Sequence, residues 1–164
     1  MDKIFSNIAT IQLRPYQSAD ALSLLMLFRD TVHRINCRDY TPEQIDAWAP
    51  ADTPLEPWAS RFEGNIAYVA HHNDEIAGFA DMTPDGYLDR LFVSADFQRQ
   101  GVARKLVQAM LQSAADLQLP EVTTEASITA KPFFLAASFV VVRKQTVVCR
   151  EVEFTNFLMR HPIS

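Results

Sequence analysis

Apolar and polar positions alternate along Ile11–Tyr16, a period of two that predicts a first β-strand. After Ser18 the period changes. Ala21, Leu24, Leu25, Phe28, Val32 and Ile35 recur at helical spacing, which predicts a helix with one buried face. Met26 and Leu27 widen that face, so the helix reads as buried on two sides, with a pocket wall or a homodimer contact as the alternative. Thr41-Pro42-Glu43-Gln44 starts a second helix: Thr41 caps, Pro42 takes the first helical position and Gln44 closes a capping box. Pro50 keeps this helix short, and a third is expected around Leu55–Phe62, with Trp58 on one side.

Strand patterns follow. Ile66–His72 and Glu75–Met82 flank Asn73-Asp74, a pair that tolerates the positive φ of a tight hairpin. Thr83-Pro84-Asp85-Gly86 carries proline second and glycine fourth, a turn pattern, and leads into a third strand, Tyr87–Val93. Helical spacing returns over Val102–Leu117, then come a strand (Glu121–Ser127), a short helix (Ala130–Ala137) and two last strands. This order, with an antiparallel meander at its centre, predicts an α+β fold rather than a doubly wound parallel sheet. No repeat or linker divides residues 1–164, whose length suits one domain.

Composition narrows the function classes. A formal charge of −5 argues against nucleic acid as a partner, and no apolar run reaches the ~18 residues of a membrane span. The N-terminal MDKIFSNIAT lacks the apolar core of an export signal, so a cytoplasmic protein is expected. Cys37 and Cys149 lack metal-ligand spacing, and His33, His71, His72 and His161 form no metal motif with the carboxylates. Reduced structural thiols and no metal are the expectation.

The stretch that carries chemistry runs from Leu91 to Arg104, with the sequence LFVSADFQRQGVAR. A strand ends, a polar turn follows and a helix begins near Gly101. The first N–H groups of a helix have no intrahelical acceptor, and the helix dipole adds positive charge there, so an anion such as a pyrophosphate is stabilised. Gly101 removes a side chain where backbone and ligand approach closely, Ala103 keeps the next turn small, and Arg99 and Arg104 add charge. Behind them, Val102, Leu106, Val107, Met110, Leu111, Ala114 and Leu117 form an apolar face that anchors the helix on a sheet.

Gln98-Arg99-Gln100-Gly101-Val102-Ala103, after a strand ending Leu91-Phe92-Val93, resembles motif A of the GNAT acetyltransferases, with Ala103 in place of the second glycine. A second stretch, from Ser127 to Phe139, is similar to the family pattern Asn-x-x-Ala-x-x-Phe-Tyr-x-x-x-Gly-Phe, with Ala130, Phe133, Phe134 and Phe139 in register. Pro42–Pro50, with Gln44 and Trp48, looks like a bacterial subgroup. The element order matches over nearly the whole chain. The resemblance implies a mostly antiparallel twisted sheet flanked by helices, with two strands splayed around acetyl-CoA. It further implies an N-acetyltransferase acting on a primary amine of a small molecule or peptide.

On that resemblance, main-chain groups of Leu91, Phe92 and Val93 pair with the pantetheine, residues Gln98, Arg99, Gln100, Gly101, Val102, Ala103 and Arg104 hold the pyrophosphate, and Lys131 and Phe134 complete the cofactor site. Asp89 is the first candidate for the base, with Glu125 and Asp81 as alternatives. The chain departs from the family at Phe134, where many members carry a tyrosine that protonates the leaving thiolate, and at Ser138, where they carry glycine. Tyr87 is a substitute donor that nothing in the sequence places. The missing tyrosine leaves a non-catalytic acyl-CoA sensor as the alternative function.

Overall fold

A computed structural model describes residues 10–164. All but Thr10 of the stretch read for an export signal lies outside the described residues. Strand β1 (Ile11–Pro15) is followed by helices α1 (Ala21–Arg34), α2 (Pro42–Trp48) and α3 (Leu55–Ser60). The meander β2 (Ile66–His72), β3 (Glu75–Met82) and β4 (Tyr87–Val93) leads to α4 (Val102–Asp116). Then come β5 (Glu121–Ala126), α5 (Lys131–Ala136) and a long hairpin, β6 (Val140–Cys149) with β7 (Val152–Pro162).

The local signals in the sequence are realised atom by atom. Thr41 Oγ1 accepts from Gln44 N while Thr41 N donates to Gln44 Oε1, the reciprocal pair that caps α2. Asn73 takes φ 55° in the β2–β3 turn. Gly86 N donates to Thr83 O, and Tyr87 N to Thr83 Oγ1, which closes the turn into β4. Ser138 holds φ 72°, so the serine that replaces the family's glycine carries a left-handed turn after α5. One reading of α1 changes: Leu24, Leu25 and Phe28 are buried, but Met26 and Leu22 face solvent.

Among the described residues seven strands form one sheet in the order β1-β2-β3-β4-β5-β7-β6. Every neighbouring pair is antiparallel except β4 and β5, which run parallel and are joined only at Tyr87↔Thr123 and Leu88↔Thr124. Beyond Leu88 the two strands part. β4 continues to Val93 on β3 alone, and β5 continues to Ala126 on β7 alone. The sheet is covered on both faces. Val102, Leu106, Met110 and Phe134 of α4 and α5 pack in one core cluster, while Leu24, Phe28, Ile45 and Trp58 of α1–α3 pack in the other.

Two local features set the line of β4. The register shifts between Asp81↔Arg90 and Met82↔Leu88, so Asp89 is an extra residue that bends the strand. Gly78 of β3 is the second feature. A Cβ there would lie 2.8 Å from Phe92 O and 3.0 Å from Val102 Cγ1, so only glycine lets the start of α4 sit this close to the strands. Gly78→Ala is therefore expected to lower stability by about 1–3 kcal/mol through overpacking. Equilibrium urea denaturation measures it, and an unchanged midpoint would show that Val102 moves aside at no cost.

Candidate active site

The gap between β4 and β5 opens into a cavity of about 1130 Å³. An ordinary small-ligand pocket has roughly 300–1,000 Å³, so the space suits more than one small molecule. Its walls come from both core clusters. Leu91, Val93, Val102 and Phe134 belong to the α4–α5 side, and Phe28, Tyr40, Trp48 and Phe154 to the α1–α3 side. The cavity thus passes through the sheet, and the parted strands form its waist.

At the α4 end, the polar turn is held by its own residues. Ser94 Oγ accepts from Asp96 N, and Gln98 Nε2 donates to Val93 O at 2.8 Å and Ser94 O at 3.2 Å. Thr31 Oγ1 of α1 donates to the same Val93 carbonyl. Gln98 therefore braces the turn with its side chain, and the Val93 carbonyl is already engaged. Arg99 (φ 60°) and Gly101 (φ 81°) both take left-handed conformations. The N–H groups of Arg99 and of Gly101 through Arg104 meet no acceptor among the described residues, and the first helical bond runs from Lys105 N to Gly101 O. Nothing lies within 4 Å of where a Gly101 Cβ would be. Arg99, Gly101, Val102, Ala103 and Arg104 line the cavity, and neither arginine has a carboxylate partner among the described residues. Open donors, local positive charge and empty space meet here, which is what a phosphate group requires.

At the waist stand Asp89, Glu125 and Tyr87, all in the cavity wall. Asp89 Oδ2 accepts from Arg61 Nη2 at 3.0 Å. Glu125 has no ion-pair partner among the described residues. The Tyr87 phenol is pushed up to about 12, first by burial and then by the Glu125 and Asp89 carboxylates, with Arg61 opposing. It therefore keeps its proton at neutral pH. The sequence motifs pass over this tyrosine because its surroundings come from other segments.

Three of the expected residues lie elsewhere. Asp81 is fully buried outside the cavity wall, and its two oxygens accept from Arg90 Nε (2.9 Å), Arg90 Nη2 (2.7 Å) and Asn65 Nδ2 (3.0 Å). The Arg90 guanidinium lies over both the Trp58 and Phe62 rings, 4.6 and 3.9 Å from their centroids, which favours the cation while it is out of water. Asp81 is thus a structural partner of Arg90. Lys131 sends its ammonium over the Phe157 ring, 4.2 Å from the centroid, and does not line the cavity. Gln100 sits on the exposed outside of the turn. Phe134, with no hydroxyl to give, lines the cavity and packs edge-on against Phe139 and Phe133. Trp48 and Trp58 also line the cavity. His33 instead contacts Ala49 O, and Asp39 accepts from Thr129 Oγ1.

Comparison with known proteins agrees with this architecture. Residues 36–160 match the acetyltransferase (GNAT) domain family. The chain is 38% identical over 151 residues to the uncharacterized N-acetyltransferase YafP of Escherichia coli (strain K12), covering 92% of this chain and 95% of that protein. A GCN5-related N-acetyltransferase structure from Rhodopseudomonas palustris superposes with a TM-score of 0.90 at 27% identity, over 93% of this chain and 96% of its own. A putative acetyltransferase from Salmonella typhimurium, solved with its cofactor acetyl-CoA, shares the fold at TM-score 0.71 and 14% identity, over 94% of each chain. The chain belongs to the GNAT family and is an acetyltransferase.

The roles of the two neighbouring strand carboxylates can be separated by stability. The Arg90 and Asp81 side chains are 4% and 0% exposed, so Asp81→Ala leaves a buried cation unpaired and should cost about 3–5 kcal/mol. Asp89→Ala at the cavity wall should cost less than about 1 kcal/mol. Denaturation midpoints of the two variants check this, and equal losses would contradict the division.

Proposed function

We propose that the protein transfers the acetyl group of acetyl-CoA directly to a primary amine of a small molecule or peptide. The observation that carries the reading is the cavity through the sheet, with unpartnered amides at one end and two carboxylates at its waist. The pyrophosphate of the substrate would rest on the N–H groups of Arg99 and of Gly101–Arg104, with Arg99 and Arg104 adding charge. The pantetheine arm would lie along Leu91–Val93, where β4 has no partner on the β5 side.

The amine then comes from the α1–α3 face. Its nitrogen bonds to the acetyl carbon, the carbon–sulfur bond breaks and CoA leaves as the thiolate. Asp89 or Glu125 takes the proton that the amine loses. A thiol of pKa near 8.5 is a good leaving group, and Tyr87, still protonated, donates a hydrogen bond to the sulfur as charge develops. This supplies what Phe134 lacks and removes the ground for the non-catalytic sensor reading. Cys149 is not needed as a nucleophile; its Sγ faces Ala47 O at 3.5 Å. Among the described residues no group of three or more His, Cys, Asp or Glu side chains is placed to hold a metal ion, and no helix is long and apolar enough to cross a membrane. Free Cys37 and Cys149 fit a reducing compartment, and we assign the protein to the cytoplasm.

Acetyl-CoA is expected to raise the thermal midpoint of the folded chain. Gly101→Val should abolish that shift, because its side chain fills the space for the phosphates. It should also lower the midpoint itself, since a β-branched residue at φ 81° is strained. A Gly101→Val chain that keeps the full shift would put the phosphates elsewhere.

Proton transfer is tested separately. Asp89→Asn should keep acetyl-CoA binding and lose about 10²- to 10⁴-fold in rate at neutral pH, with partial recovery at high pH, where more amine is neutral. A variant within about twofold of the parent at every pH would pass the role to Glu125. Tyr87→Phe should lower kcat with little change in KM for acetyl-CoA. In the parent, the Tyr87 contribution should persist to pH 10 and fade as the phenol ionises near its raised value of about 12.

A further inference from the structure

On the α1–α3 side the cavity is walled by rings. Trp48 meets Tyr40 (5.4 Å between centroids), Phe92 (6.1 Å) and Phe154 (6.3 Å), and Phe28 meets Phe92 (4.9 Å). All of them line the cavity. Trp48 stands at 70°, 59° and 78° to its three partners, so none of them stacks face to face with the indole. Two residues along β7 from Phe154, on the same face of the strand, Asn156 also lines the cavity, and its Oδ1 is buried with no donor among the described residues. This is a wall of aromatic faces with one orphaned hydrogen-bond acceptor.

The charges argue against a polycation. Among the described residues only Asp89 and Glu125 bring carboxylates to the cavity wall, Asp89 is already paired with Arg61, and Arg150 adds positive charge. One edge of this chamber is bridged by hydrogen bonds. Arg150 Nη1 at the tip of the β6–β7 hairpin donates to Ala47 O at 2.6 Å, and Gln44 Nε2 of α2 donates to Glu153 O at 3.0 Å. These two bonds join α2 to the last hairpin, so an extended peptide would have to part them to lie along that edge.

We infer that the acceptor is a small arylalkylamine: a single primary amine on a flat aromatic body that carries a ring donor. The inference rests on the transferase reading above. The ring lies against Trp48, the ring O–H or N–H satisfies Asn156 Oδ1, and the amine nitrogen reaches the waist at Asp89 and Glu125. There it gains the acetyl carbon and loses one proton to a carboxylate while CoA departs.

Steady-state acetylation of tyramine, tryptamine, phenethylamine, spermidine and a lysine peptide tests this, alongside the thermal shift with acetyl-CoA. Tyramine or tryptamine should exceed spermidine and the peptide by at least about tenfold in kcat/KM, and phenethylamine, with no ring donor, should fall below them by about tenfold. Trp48→Ala should collapse the preference over spermidine, with its acetyl-CoA shift retained as evidence of folding. Asn156→Leu should erase the advantage of tyramine over phenethylamine. Preference for spermidine or the peptide, or an equal loss on all amines in Trp48→Ala, would overturn the assignment. So would an acetyl-CoA shift without turnover of any arylalkylamine, and that result would leave the acetyl-CoA site standing. Absence of the shift would overturn the transferase reading itself.

Discussion

Strands β4 and β5 are held together by two residue pairs, and the interaction stops there. Thr124 Oγ1 donates to Leu88 O at 2.9 Å and Thr123 N to Gly86 O at 2.9 Å, and past these bonds each strand keeps only its outer neighbour. Main-chain groups left without a partner inside a protein are costly unless something else satisfies them. The fold tolerates the opening because α4 and α1 support β4 from both faces. Thr31 and Gln98 grip the Val93 carbonyl, and Gly78 lets Val102 press on the strand. The site consists of what this opening exposes.

The second constraint is the buried ion pair under the bend of β4. Arg90 is anchored to Asp81 by two bonds and packed against the Trp58 and Phe62 rings, and the next residue back, Asp89, is the extra one in the register. A bulge reverses which face successive residues take. Asp89 and Arg90 therefore both turn toward the α3 side: Arg90 into the core, Asp89 to the cavity edge beside Arg61. A stiff buried pair next to a bulge keeps a partly exposed carboxylate from wandering.

Much of this was legible in the sequence. Gly101 stands out as a missing side chain at the start of an amphipathic helix, and its φ of 81° adds a backbone reason that only the structure shows. Thr41 and Gln44 announce a helix start by chemistry local to four residues. Asp81 and Asp89 could not be told apart in the same way, since both are strand carboxylates and only the register shift separates them. Lys131 lies inside the stretch that resembles the family pattern, yet its ammonium turns to Phe157 on a strand that local sequence says nothing about. The aromatic wall was hidden for the same reason. Trp48 and Phe154 are far apart in the chain, and their meeting depends on where the last hairpin folds.

A cavity that runs through a sheet has two doors. On the proposed reading the nucleotide enters by one and the amine by the other, so neither blocks the other's path and no order of arrival is imposed by geometry. The products likewise separate in opposite directions. A single molecule joining the CoA sulfur to the amine nitrogen would be different, because it has to be threaded between β4 and β5 like a cord through an eyelet. Its release would demand that one bulky end pass a gap that neither natural substrate ever crosses whole. Such a conjugate would owe its residence time to the topology of the sheet as much as to its contacts.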